Sequence, residues 1–199
     1  MQSELIYRLL LLALFIGFVA YRGYFQRKFG RPDEDTVKQR EENPAEKIAN
    51  LLSLPALIAT LLYIIYPAWM SWASLPLPAW LRWAGLGLAI VGFALLQWAH
   101  QALGRNWSDT PRLMKNQALV TSGPYRWIRH PIYSAFLIIM SAPLLISANW
   151  FIGGMWLVLT GLEVVSRIKF EEALMIETFG EPYRTYMQKT GRLIPRLIR

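Results

Sequence analysis

Apolar positions along this chain come in long blocks rather than as a stripe at helical spacing. One block runs from Leu5 to Tyr21, with Arg8 near its start. A second runs from Ile48 to about Trp69, a third from Leu81 to Ala99, and a fourth from Ile132 to Val165. A helix crossing a bilayer core of about 30 Å needs about 20 apolar residues. The first three blocks therefore predict one crossing each. The fourth is too long for one crossing and is interrupted by Pro143 and by the polar step Ser147-Ala148-Asn149. It predicts a tight helical hairpin. Helices buried in a water-soluble domain would keep a polar face, and residues 51–65 have almost none. The first block lacks both a basic leader beyond Arg8 and a small-residue cleavage site before Arg22, which argues against a cleaved signal peptide. The expected fold is an all-α integral membrane bundle of five transmembrane helices in a single domain, 1–199. Helices one to three lie in 1–99, with a solvated loop at 22–47 that has room for a short surface helix. Helices four and five form the hairpin in 100–199, followed by a helical tail.

Charge sharpens this picture. Charged residues make up only 17% of the chain, against about 25% in a typical soluble domain, and the formal net charge is +8. Basic residues gather in 22–47, 100–131 and 166–199 and are absent from 70–80 and from the 147–149 turn. Positively charged loops stay on the cytoplasmic side, so the N-terminus is expected outside and the C-terminus inside, in the inner membrane if the source is bacterial. Arg8 then lies on the outer side, from where it can snorkel to the interface. Trp69, Trp72, Trp80 and Trp83 crowd the outer ends of helices two and three as an interfacial belt would. The net charge thus reads as topology and contact with anionic lipid, not as nucleic-acid binding. There is no Cys, so disulfide and thiolate chemistry are excluded.

Two polar segments exceed what a purely structural membrane protein needs. In the first, Gly123-Pro124 makes a turn and Pro131 opens helix four, the position at which its missing N–H is not needed. His130 then caps that helix, and free amides at its start favour an anionic ligand group. A plain cap at a membrane boundary would read the same way, and Tyr125, Trp127 and Tyr133 could equally be interface anchors. In the second segment, Arg167 and Glu171 are four apart and share a helix face beyond helix five. They make either a surface ion pair or the wall of a cavity at the membrane boundary.

At these residues the sequence resembles the isoprenylcysteine carboxyl methyltransferases. These belong to a wider group of integral membrane methyltransferases that includes phospholipid N-methyltransferases. The resemblance rests on GPYRWIRHPIY (123–133), RIKFEE (167–172) and FGEPYRTYM (179–187), and extends over about 106–195. It implies an enzyme that uses S-adenosylmethionine to methylate a lipid-like acceptor, with carboxyl methylation of an isoprenoid or prenylcysteine-like substrate as the leading expectation. A phospholipid amine N-methyltransferase is the alternative within the group, and an NADPH-dependent membrane reductase or a non-catalytic membrane protein lies outside it. The resemblance further implies a cofactor pocket on the cytoplasmic side from Gln117, Ala118, Leu119, Val120, Tyr125, His130, Pro131, Ile132 and Tyr133. Glu171 would be the acidic cofactor ligand and Arg167 the arginine near the acceptor. Family members often have His where this chain has Gln117, and a further polar contact falls around 110–112. No Gly-rich loop followed by an acidic ribose ligand is present, which excludes a Rossmann-type methyltransferase. If the acceptor were an amine, Glu171 or Glu172 would have to take its proton.

Overall fold

In the computed structural model, described for residues 2–29, 36–39, 44–107, 112–114 and 118–196, the apolar blocks become long helices. They are α1 (Gln2–Phe29), α2 (Pro44–Ile65), α3 (Ala79–Leu103), α4 (Pro131–Ser147) and α5 (Trp150–Phe179), followed by the short α6 (Glu181–Lys189). Four of them, α1, α2, α3 and α5, are long and apolar enough to cross a membrane; α4, at 17 residues, is shorter. Their outer faces carry Leu5, Leu9, Ile16, Leu51, Leu54, Leu61 and other large apolar side chains, all exposed. Such a surface is stable only against lipid. The protein is an integral, multi-pass membrane protein. Trp69, Trp72, Trp80 and Trp83 are exposed together at one end, as expected for an aromatic belt.

The core sits where α3 and α4 meet, around Leu96, Ile139, Ile146 and Ile152. Close approach is built into α3. A Cβ placed on Gly92 would come within 2.6 Å of Ile139, and one on Gly85 within 2.8 Å of Leu145. In lipid, where apolar burial gives no net drive, such small residues let backbones meet and dispersion act.

The α4–α5 hairpin turns at the expected polar step. Ala148 takes the left-handed conformation, and the Asn149 side chain accepts from Ile152 N at 3.0 Å as the cap of α5. Asn149 Nδ2 also donates to Met70 O at 3.1 Å, tying the turn to the α2–α3 connection. Pro143 does not interrupt the block, however. It lies inside α4, and the Ser147 hydroxyl donates to its carbonyl at 2.6 Å.

The 22–47 region also differs from the expectation. The loop at 22–47 is shorter than expected, because α1 continues to Phe29; Tyr21 and Phe25, four apart, stack at 4.8 Å and carry the helix onward. No surface helix is described there. Instead β1 (Thr36–Gln39) pairs antiparallel with β2 (Arg112–Met114). Near the start of α1, the Arg8 guanidinium donates to Ile64 O at 2.8 Å, serving a carbonyl that α2 leaves unpaired at its end.

Candidate active site

The cleft lies at the end of the bundle opposite the 147–149 turn and encloses about 170 Å³. One wall begins at the 123–126 turn. There Tyr125 is buried, its carbonyl accepts from the Tyr186 hydroxyl at 2.6 Å, and burial pushes its phenol well above the usual range. His130 is the N-cap of α4 and Pro131 its first helical residue, as the sequence indicates. The amides of Ile132 and Tyr133 precede the first intrahelical bond, which Ser134 N donates to His130 O at 3.1 Å.

His130 is buried between two carboxylates that are adjacent in sequence. Its Nδ1 lies 3.4 Å from Glu171 Oε2 and its Nε2 lies 3.4 Å from Glu172 Oε1. Burial alone would lower its pKa, but the contacts to Glu171 and Glu172 outweigh it and hold the imidazole above its ordinary range. The two carboxylates point apart, because successive helical residues are about 100° apart around the axis. Glu172 is buried and fully engaged. Arg129 Nε donates to it at 3.1 Å, and Arg192 donates at 3.1 and 2.5 Å. That cluster clamps the C-terminal tail, whose Gly191 and Arg192 carbonyls accept from Arg129 N and His130 N at 2.9 and 3.1 Å. Glu171, by contrast, is half-buried and faces the cleft, accepting from the Tyr133 hydroxyl. Glu172 is thus committed to the arginines of the clamp and does not line the cleft.

Of the residues expected from the sequence, Ala118, Leu119, Val120, Tyr125, His130, Ile132, Tyr133, Arg167 and Glu171 line this one cleft. Ala118 is held there by Asn106, whose side-chain oxygen accepts from Ala118 N at 2.9 Å. Pro131 is buried behind the lining rather than part of it. Gln117 lies outside the described residues, as does most of 110–112. Arg167 does not pair with Glu171. It bonds Glu163, one turn earlier, at 3.0 Å and approaches the buried Glu46 of α2 at 3.7 Å.

The sequence reading missed the opposite wall. Tyr21, Arg22 and Phe25 of α1 and His100 of α3 all line the cleft. The His100 ring sits 4.1 Å from Phe25 and 5.2 Å from Trp107, with Nδ1 2.8 Å from Leu96 O. The available signal was the aromatic pair Tyr21 and Phe25 at helical spacing, running straight through the charged end of the first block.

Comparison with known proteins supports the same region. The isoprenylcysteine carboxyl methyltransferase (ICMT) family pattern matches residues 85–177. A protein-S-isoprenylcysteine O-methyltransferase of Tribolium castaneum is 32% identical over 119 residues, covering 55% of this chain and 40% of that protein. A methanethiol S-methyltransferase 1 of Bradyrhizobium diazoefficiens is 30% identical over 103 residues, covering 52% and 33%. The solved structure of the eukaryotic intramembrane Ras methyltransferase ICMT superposes with a TM-score of 0.57 at 25% identity, covering 78% of this chain and 54% of that one. This chain thus spans from a third to about half the length of these relatives.

Proposed function

We propose that this chain, whose residues 85–177 match the isoprenylcysteine carboxyl methyltransferase family pattern, is an integral membrane methyltransferase using S-adenosylmethionine. Its acceptor is lipid-like, with a prenylcysteine-type or other isoprenoid carboxylate as the leading class. The observation that carries this reading is the convergence of His130, Tyr133, Glu171 and Arg167 on one cleft with the 118–120 segment. The residues present suit the cofactor. S-adenosylmethionine brings an ammonium, a carboxylate and a sulfonium whose methyl carbon is electrophilic. Glu171 offers a carboxylate on the cleft surface for the ammonium. The Ile132 and Tyr133 amides at the start of α4 offer donors for the carboxylate. Tyr133 and His130 hold the Glu171 oxygens in place, so the anion is oriented before any ligand binds.

The protein's remaining task is alignment. A carboxylate acceptor needs no general base, and a dry site favours reaction between opposite charges. Tyr21, Phe25 and Trp107 give the cleft an aromatic wall. Arg167, held by Glu163 and Glu46, presents its guanidinium in a fixed orientation and can aim an acceptor oxygen by two parallel hydrogen bonds. Lysine keeps the charge but loses that geometry. In an assay of methyl transfer from labelled S-adenosylmethionine to a farnesyl thioether acid, Arg167→Lys should lose about 100-fold or more in turnover. Near-normal turnover would refute the alignment role.

A thiol acceptor is the second reading, favoured by the similarity to a methanethiol S-methyltransferase. It predicts that Arg167→Lys leaves turnover of a small thiol nearly unchanged. For the membrane, α4 is read as a fifth crossing, with the N-terminus outside and the cleft facing the cytoplasm. Labelling of Ala73→Cys by an impermeant reagent from the cytoplasmic side would overturn that orientation.

A further inference from the structure

Four cationic or anionic side chains other than His130 line the cleft: Arg22, Arg129, Arg167 and Glu171. Arg129 is matched to Glu172, Arg167 to Glu163 and Glu46, and Glu171 to His130 and Tyr133. Arg22 alone has no carboxylate in ion-pair range among the described residues. Its guanidinium instead lies over the Phe136 ring, 5.8 Å from the centroid. It is half-buried, on a helix that has lipid on its outer face. A partly desolvated cation without a counter-ion is costly unless a ligand supplies the charge.

Depth says which ligand. Phe136 is one turn further into α4 than Ile132, about 6 Å toward the bilayer interior at 1.5 Å per residue. The cofactor donors lie at the start of α4, so Arg22 faces the deeper part of the cleft, where a lipid-borne acceptor must sit. We infer that Arg22 selects the acceptor by its charge, holding an anionic group of the acceptor and excluding uncharged analogues. The claim rests on the methyltransferase reading and deepens it. Because Arg22 lies outside the family-matched residues 85–177, acceptor selection is carried by a part of the chain distinct from the cofactor site. A guanidinium over an aromatic ring can keep that contact and still donate from its edge to a carboxylate.

The test is a binding measurement on the full chain in neutral detergent, using a farnesyl thioether acid and its uncharged carboxamide, each with and without saturating S-adenosylhomocysteine. The wild type should prefer the acid by about 10-fold or more, the ratio set by one charge-assisted hydrogen bond. Arg22→Gln should cut the preference by about 10-fold, leaving only what Arg167 supplies, with carboxamide and S-adenosylhomocysteine affinities unchanged, and Arg22→Lys should retain more of it. An unchanged preference in Arg22→Gln would overturn the inference. So would an equal loss for acid and carboxamide, which marks a structural role, or a loss confined to S-adenosylhomocysteine, which makes the cofactor the anion. If the anion is instead bilayer phosphate, the variant will alter both acceptors alike and only in nanodiscs containing phosphatidylglycerol, which also overturns it. A wild type that binds no S-adenosylhomocysteine would sink the methyltransferase reading, and the acid-over-carboxamide ratio measured without cofactor would still decide the role of Arg22.

Discussion

Each end of the bundle buries an arginine that pairs with a glutamate, and the two ends use the pair differently. At the turn end, Arg82 of α3 donates to Glu4 of α1 at 2.5 and 3.1 Å and to Ile146 O at 3.0 and 3.1 Å. Its guanidinium also covers the Tyr7 ring at 3.6 Å. Nearby, the Tyr63 hydroxyl donates to Ser147 O at 2.7 Å. The Arg82 and Tyr63 donors are matched inside the protein, and the result is a clasp joining α1, α3 and α4. At the cleft end, Glu172 makes a similar clasp with Arg129 and Arg192, but Glu171 beside it and Arg22 across from it keep capacity to spare. The lesson concerns ionisable groups at membrane depth. Their presence alone does not mark a functional site; unspent hydrogen-bonding and charge capacity facing a cavity does.

That contrast can be broken at the clasps first. Glu172→Gln leaves Arg129 buried without its counter-charge, so it should cost about 3–5 kcal/mol of stability. Thermal unfolding in detergent measures the loss, and limited proteolysis should show early release of the tail after residue 189. If the variant keeps wild-type stability, Glu172 is not the clasp described here. At the other end, Arg82→Met should cost less, about 1–3 kcal/mol, because Glu4 is largely exposed and can rehydrate while Ile146 O loses its donors. S-adenosylhomocysteine affinity should stay at the wild-type value in this variant. A large drop in affinity would mean the two ends are coupled rather than separate.

Much of this was legible in the sequence where local physics decides the outcome. The apolar blocks, the hairpin turn at 147–149, Pro131 at the first turn of α4 and the tryptophan belt each follow from residue type and spacing alone. The family blocks brought most of the cleft-lining residues at 125–133 and 167–171 with them. What the sequence could not display is pairing across the fold. Glu171 and Glu172 are chemically identical neighbours, and only the return of the tail to 127–130 assigns one to the clasp and the other to the cleft. Arg167 sits four residues from Glu163 as well as from Glu171, so spacing left its partner open, and packing of α2 against α5 brought Glu46 to the same side. Arg22 looked like the first residue of a basic loop until α1 proved to continue through it. Arg82 sits inside an apolar block with its partner near the N-terminus, beyond the reach of any periodicity.

The central claim is that the cleft around Glu171 is a cofactor site while the adjoining Glu172 is structural. Isothermal titration of S-adenosylhomocysteine into the detergent-purified wild type and Glu171→Gln tests it directly. The wild type should bind, and Glu171→Gln should bind more weakly by about 1.5–3 kcal/mol, the worth of one charge-assisted hydrogen bond, with its unfolding temperature nearly unchanged. Equal affinity in the two proteins would remove Glu171 from the site and contradict the account.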